Sequence, residues 1–230
     1  MAQITIKEML KNYPIGRGKF TALKSIELEF KKGEFTGIVG PSGSGKTTLL
    51  NIIGSLDVQT EGSVEVMGKE IKTLSAKQSS RLRSEHIGFI FQTYNLLPVY
   101  TVYENVEFPL ILLGMSASER KKAVLDALEW VGLTDKIKSR PAQLSGGECQ
   151  RVAIARAIVK KPDIVLADEP TANLDAENSH HILKTMRKIN EELGTTFIFS
   201  THDAKVISYL KRKITLLDGK ISNDEIVNGG

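Results

Sequence analysis

The chain has 230 residues, with 31 Lys and Arg against 27 Asp and Glu, which bounds it to one large domain or two small ones. Apolar residues make up 41% and charged residues 25%, the balance of a soluble globular protein, so disorder is not expected. Cys149 is the single cysteine, which excludes a disulfide framework and a thiolate zinc cluster and points to a reducing compartment. The longest apolar run, Pro109 to Met115, is far shorter than the roughly 20 residues of a membrane helix. Met1 to Thr5 lack the basic region and apolar stretch of a signal peptide. A net charge of +4 permits contact with an anionic surface without demanding one, and no nucleic-acid partner is expected.

In chain order, Ser25-Ile26-Glu27-Leu28-Glu29-Phe30 alternates polar and apolar residues, the pattern of a half-exposed antiparallel strand. Phe35 to Val39 is short and apolar, as buried strands are. Gly40-Pro41-Ser42-Gly43-Ser44-Gly45-Lys46-Thr47 then fits the phosphate-loop pattern G-x-x-x-x-G-K-[ST]. Glycines let successive backbone N–H groups turn toward one centre, and the following helix adds unpaired N–H groups and its positive dipole end. Lys46 is expected to reach the β- and γ-phosphates of a nucleotide and the Thr47 hydroxyl to ligate Mg²⁺. Thr48 is expected to donate to the α-phosphate. A helical pattern follows from Lys46 to Leu56, and Ser63 to Val66 alternates like a second antiparallel strand.

Ile87 to Phe91 reads as another buried strand, after which strand patterns nearly vanish until Val159. Ser116 and Glu119 form a capping box for a helix that Gly132 ends. Leu144-Ser145-Gly146-Gly147-Glu148 opens a further helix, with Ser145 and Glu148 as its capping box. That helix start is either a well-capped terminus or an anion site built from the Ser145 hydroxyl and the N–H groups of Gly146 and Gly147. Ile164 to Ala167 is a strand that exits on Asp168-Glu169. An Asp-Glu-Pro string alone reads as a turn. Beside a phosphate loop, Asp168 is placed to hold Mg²⁺ and Glu169 to polarise the water attacking the γ-phosphate. A helix over Glu177 to Leu193 and a strand over Thr196 to Phe199 complete the alternation. It predicts an α/β phosphate-loop NTPase core with a mostly parallel sheet, a small antiparallel β subdomain and an inserted helical subdomain. The core is expected over about 1–93 and 160–230, and the helical part over about 94–159.

The Leu-Ser-Gly-Gly-Glu-x-Gln-Arg string, following a phosphate loop and preceding Asp168-Glu169, resembles the nucleotide-binding subunit of ABC (ATP-binding cassette) transporters over nearly the whole chain. The resemblance implies an Mg²⁺-dependent ATP hydrolase. It implies that Gln92 is the Q-loop glutamine touching Mg²⁺ and the attacking water. Ala172 to Asp175 becomes the D-loop, with Asp175 at the nucleotide joint, and His202 the switch histidine on the γ-phosphate. Tyr13 resembles the aromatic that stacks on adenine, with Phe20 as its rival. Cys149 stands where relatives usually carry Gln or another polar residue. The family architecture further implies a head-to-tail homodimer around two ATP molecules. The phosphate loop of one copy then faces Ser145, Gly146 and Gly147 of the other.

An integral-membrane permease is the implied partner, docking on the apolar, aromatic stretch of about Tyr94 to Val106, with the ATPase peripheral at the cytoplasmic face. Within the family, Phe91-Gln92, Asn95 to Pro98 and Thr101 to Val106 are most similar to the lipoprotein-release, macrolide-export and antimicrobial-peptide-resistance ATPases. The alternative is a soluble ABC ATPase acting without a membrane partner, a class that usually carries coiled coils, zinc modules or two fused cassettes. A kinase or GTPase with a phosphate loop would leave Leu144 to Glu148 unexplained.

Overall fold

The computed structural model describes residues 2–16 and 18–227; Met1, Arg17 and residues 228–230, which the expectations above include, lie outside the described residues. The strands are β1 (Ala2–Ile15), β2 (Gly18–Lys31), β3 (Phe35–Val39), β4 (Glu61–Val66), β5 (Lys69–Glu70), β6 (Ile87–Ile90), β7 (Ile164–Asp168), β8 (Thr196–Thr201), β9 (Arg212–Leu217) and β10 (Lys220–Ile226). The helices are α1 (Lys46–Ile53), α2 (Ala76–His86), α3 (Val102–Leu112), α4 (Ala117–Trp130), α5 (Gly146–Ile158), α6 (Ala176–Leu193) and the short α7 (Ala204–Ile207). The chain forms two compact units, residues 1–83 with 196–230, and residues 84–195.

The first unit contains an antiparallel sheet in the order β2-β1-β4-β5. Ile26, Leu28 and Phe30 are buried while Glu27 and Glu29 are exposed, because successive side chains of a strand point to opposite faces. The antiparallel sheet expected from the alternating pattern is therefore present. It starts earlier than that pattern did, since β1 and β2 are 14 residues each. The same unit holds the strand order β10-β9-β3-β8, with β3 parallel to both β8 and β9. Phe35, Phe197 and Phe199 pack there with ring centroids 4.6 to 5.8 Å apart. Helix α1 buries Leu49, Leu50, Ile52 and Ile53. It ends at Ile53 rather than at Leu56: Gly54 caps it, Ser55 turns to φ 53°, and Leu56 is exposed.

In the second unit β6 and β7 pair in parallel, Ile87 opposite Ile164 and Ile90 opposite Ala167. Helices α3, α4 and α5 lie between them in sequence. Each begins at a full capping box: Thr101 with Glu104, Ser116 with Glu119, and Ser145 with Glu148. A Ser or Thr cap contributes about 1 kcal/mol and fixes where a helix starts. Gly132, at φ 65°, follows the last turn of α4 as the left-handed residue that stops a helix.

Candidate nucleotide site

The phosphate loop leaves the end of β3 and enters α1 at Gly45, whose φ of 104° is strained for any side-chain-bearing residue. A Cβ on Gly40 would stand 2.1 Å from the Leu216 carbonyl oxygen, so that glycine lets the loop start flat against β9. The Lys46 ammonium donates to the carbonyls of Gly40 and Pro41 at 2.7 and 3.1 Å. The lysine is thereby curled over its own loop. Ser44 is buried, and its hydroxyl has no hydrogen-bond partner. Such an orphan is rare inside a folded protein, and here it lies in a cradle whose chemistry suits a phosphate oxygen. Thr47 is exposed and Thr48 half-buried.

Two further predicted residues lie in the same unit. Strands β3 and β8 run parallel with Val39 opposite Thr201, so the phosphate loop and His202 leave the same end of adjacent strands. His202 is exposed. Tyr13, on β1, is half-buried, with Thr48, just past the loop, beside its hydroxyl. Phe20 lies opposite Tyr13 on β2 and is 48% exposed.

The second unit carries the remaining predicted residues. The β6–β7 register brings Gln92 and Asp168-Glu169 to one end of adjacent parallel strands. Glu169 has φ 47°, a conformation that costs a non-glycine residue about 1–2 kcal/mol and turns the chain sharply out of β7. Gln150 on α5 braces that turn, donating to the Pro170 carbonyl at 2.6 Å. Ser145 caps α5, accepting from Glu148 N at 3.2 Å, while Glu148 Oε2 accepts from Ser145 N at 2.8 Å. These bonds, Ser145's backbone foremost, hold the Glu148 carboxyl below the usual carboxylate range. Ser145 and Gly146 are exposed, whereas Gly147 is buried. Asp175 caps α6, accepting from Asn178 N at 2.8 Å.

The sequence profile of ABC transporters matches residues 23–172. The chain is 44% identical over 230 residues to the uncharacterized ABC transporter ATP-binding protein MJ0796 of Methanocaldococcus jannaschii, covering 98% of each. The chain belongs to the ABC transporter family. It is an ATP-binding, ATP-hydrolysing cassette of that family, with the α/β fold expected from the strand–helix alternation. The lipoprotein-releasing system ATP-binding protein LolD of Pseudoalteromonas translucida is 43% identical over 222 residues, covering 96% of each chain. That relative lies in the group the sequence resembled. A solved dimeric, post-hydrolysis state of the MJ0796 cassette, bound to ADP and Pi, superposes with a TM-score of 0.91 at 43% identity. The match covers 99% of this chain and 100% of that one.

The cassette also contains partners that its sequence motifs did not reveal. Arg156 donates to the carbonyls of Tyr94 and Asn95 at 2.7 and 2.5 Å, and both of those residues have positive φ. Asn173 donates to the Gln92 carbonyl at 2.9 Å, tying the segment after β7 to the one after β6. Asp57 and Lys11 surround Tyr13. The Arg156, Asn173 and Asp57 contacts carried no local signal, because each joins residues more than 40 positions apart. Cys149 is 8% exposed, and burial followed by the Glu148 charge pushes its thiol up. A protonated, buried thiol is a poor nucleophile.

Proposed function

We propose that this cassette binds ATP with Mg²⁺ and dimerises head-to-tail around two nucleotides, driving an integral-membrane permease from the cytoplasmic face. In this reading Gly40 to Gly45 wrap the phosphates with backbone N–H groups, and the Ser44 hydroxyl finds its missing partner there. Lys46 turns from its loop carbonyls to the β- and γ-phosphates, an exchange of neutral acceptors for charged ones. Tyr13 stacks on adenine and Thr48 donates to the α-phosphate. Asp175 and His202 act at the γ-phosphate edge of the joint. Residues 94–159 form the helical subdomain that carries Ser145, Gly146 and Gly147 to the other copy's nucleotide.

The Thr47 hydroxyl, the Asp168 carboxylate and the Gln92 amide oxygen are all hard oxygen donors, the set that suits Mg²⁺. When bound, that ion neutralises developing phosphate charge. Glu169 accepts the proton of the attacking water, and Gln92 orients that water.

The observation that carries this reading is the pair of anion-receptive helix starts on one chain. One lies at Gly45 and Lys46 of α1, the other at Ser145 and Gly146 of α5, each with N–H groups at its opening turn. Neither encloses a triphosphate alone. Permease docking is supported by Leu97, Val99 and Tyr100, exposed apolar side chains within the stretch of about Tyr94 to Val106. Among the described residues no helix is long and apolar enough to cross a membrane.

Glu169→Gln tests the proposal. The amide keeps the side chain's shape and cannot accept a proton near neutral pH. Hydrolysis is expected to slow by about three orders of magnitude with ATP still bound. Size-exclusion chromatography in MgATP should then shift the variant from monomer to dimer, and MgADP should not. A variant that stays monomeric with ATP demonstrably bound counts against the head-to-tail sandwich; near-normal turnover removes Glu169 from the catalytic role.

A further inference from the structure

Tyr13 is held by a compact group of charges. Its hydroxyl donates to Asp57 Oδ2 at 2.7 Å. Asp57 Oδ1 takes the Lys11 ammonium at 2.5 Å, and that ammonium also donates to the Val58 carbonyl at 2.7 Å. The same ammonium stands over the Tyr13 ring, 4.7 Å from its centroid. Lys11 is only 7% exposed, and lysine is seldom so buried without a partner. Two segments more than 40 residues apart therefore close a triangle of carboxylate, ammonium and phenol beside the phosphate loop.

The polarity of this triangle is fixed at neutral pH. Burial, and then the Asp57 hydrogen bond, push the Tyr13 phenol above its ordinary range. Burial alone would raise Asp57, but hydrogen bonds from Lys11, Tyr13 and Val58 N outweigh it and hold the carboxyl low. The phenol thus stays a donor and the carboxylate an acceptor. Phe20, across the β1–β2 hairpin, has no hydroxyl with which to be anchored.

We propose that Asp57 and Lys11 are positioning residues that set the pose of the Tyr13 ring and, through it, the affinity of the cassette for the nucleotide base. The proposal rests on the reading of Tyr13 as the base-stacking residue. A free tyrosine would lose rotamer freedom on stacking, and an anchored one has already lost it, so less of the stacking energy is cancelled. The Lys11 ammonium occupies one face of the ring in a cation–π contact. A base then has only the opposite face, which selects one stacked orientation.

The test compares Asp57→Ala, Tyr13→Phe, the double variant and Tyr13→Ala. Each is measured for steady-state ATP hydrolysis and for binding of ATP and of inorganic tripolyphosphate, which has no base. Asp57→Ala and Tyr13→Phe should each raise KM for ATP about 3- to 10-fold with kcat within about twofold, and the double variant should be no worse than either, because all three remove one coupled interaction. Tripolyphosphate affinity should stay at the wild-type value in all of them. If Tyr13→Ala weakens ATP binding while Asp57→Ala and Tyr13→Phe leave it intact, the anchor is refuted and the stacking role stands. If Tyr13→Ala also leaves ATP affinity unchanged, the stacking role fails and the anchor with it. Equal loss of ATP and tripolyphosphate affinity in Asp57→Ala would overturn the proposal, since it would show damage to the phosphate loop.

Discussion

Gly147 lies so close to Asn178 that a Cβ on the glycine would stand 2.5 Å from Asn178 Oδ1 and 2.8 Å from its Cγ. The second glycine of the Ser-Gly-Gly string is thus a packing requirement. Asn178 cannot move aside freely, because its amide nitrogen donates to Asp175 Oδ2 at 2.7 Å. Gly147→Ala should force Asn178 to swing away and break that bond, with a cost of about 1–3 kcal/mol from overpacking. Asn178→Ala in the same chain should restore most of the lost stability. Thermal or urea unfolding of the single and double variants measures this, and a Gly147→Ala protein as stable as wild type would contradict the clash.

Lys46→Ala should abolish ATP hydrolysis and weaken ATP binding. The ammonium that now donates to Gly40 and Pro41 carbonyls is the one side-chain cation within the phosphate-loop motif, and a charge-assisted bond to phosphate is roughly twice as strong as a neutral one. Turnover at saturating ATP is the measurement; wild-type turnover would remove Lys46 from the mechanism.

Ser145→Arg should leave ATP binding to an isolated monomer intact while blocking ATP-dependent dimerisation. Ser145 is exposed at the start of α5, so in the proposed head-to-tail arrangement a bulky cation there fills the surface facing the other copy's nucleotide without entering the phosphate loop's own motif. Nucleotide affinity and oligomeric state are measured separately. Loss of affinity in a folded monomer would assign Ser145 to its own chain's site instead.

Lys160 gives a prediction for stability against pH. The residue is half-buried just beyond α5, and burial pulls its ammonium down from an ordinary 10.5 to about 8. The unfolded chain therefore binds more protons than the folded one between those two values, and stability contributed by this group rises with pH across that window and is flat below it. Replacing the cation with Lys160→Met should stabilise the protein at pH 7 by about 1–3 kcal/mol after allowance for partial solvent screening. The rise between pH 8 and 10.5 should shrink in the variant. Urea unfolding at pH 7 and pH 10 decides it: unchanged stability at pH 7 with an unchanged rise would show that the buried charge costs nothing.

Local chemistry is what the sequence by itself determined. The phosphate loop needs contiguous residues, so Gly40 to Thr47 could be read directly. The capping boxes at Ser116 and Ser145 span three residues and start their helices where the side chains dictate. Alternation in Ser25 to Phe30 fixed which face of β2 is buried, since a strand's two faces are set by residue parity. The order of the motifs was enough to place the chain in its family.

Tertiary structure alone decided what meets across the chain. Leu56 fits the apolar pattern of α1, yet the helix stops before it because Gly54 and Ser55 turn the backbone. The hydroxyl of Tyr13 finds Asp57 only because β1 runs antiparallel beside β4, with Leu10 opposite Glu61. Gly147 must be glycine because the start of α6 brings Asn178 against it. Arg156 reaches the carbonyls of Tyr94 and Asn95 from a helix that begins more than 40 residues later. Such contacts depend on sheet register and helix packing. Those are properties of the whole folded chain, and no spacing within a motif encodes them.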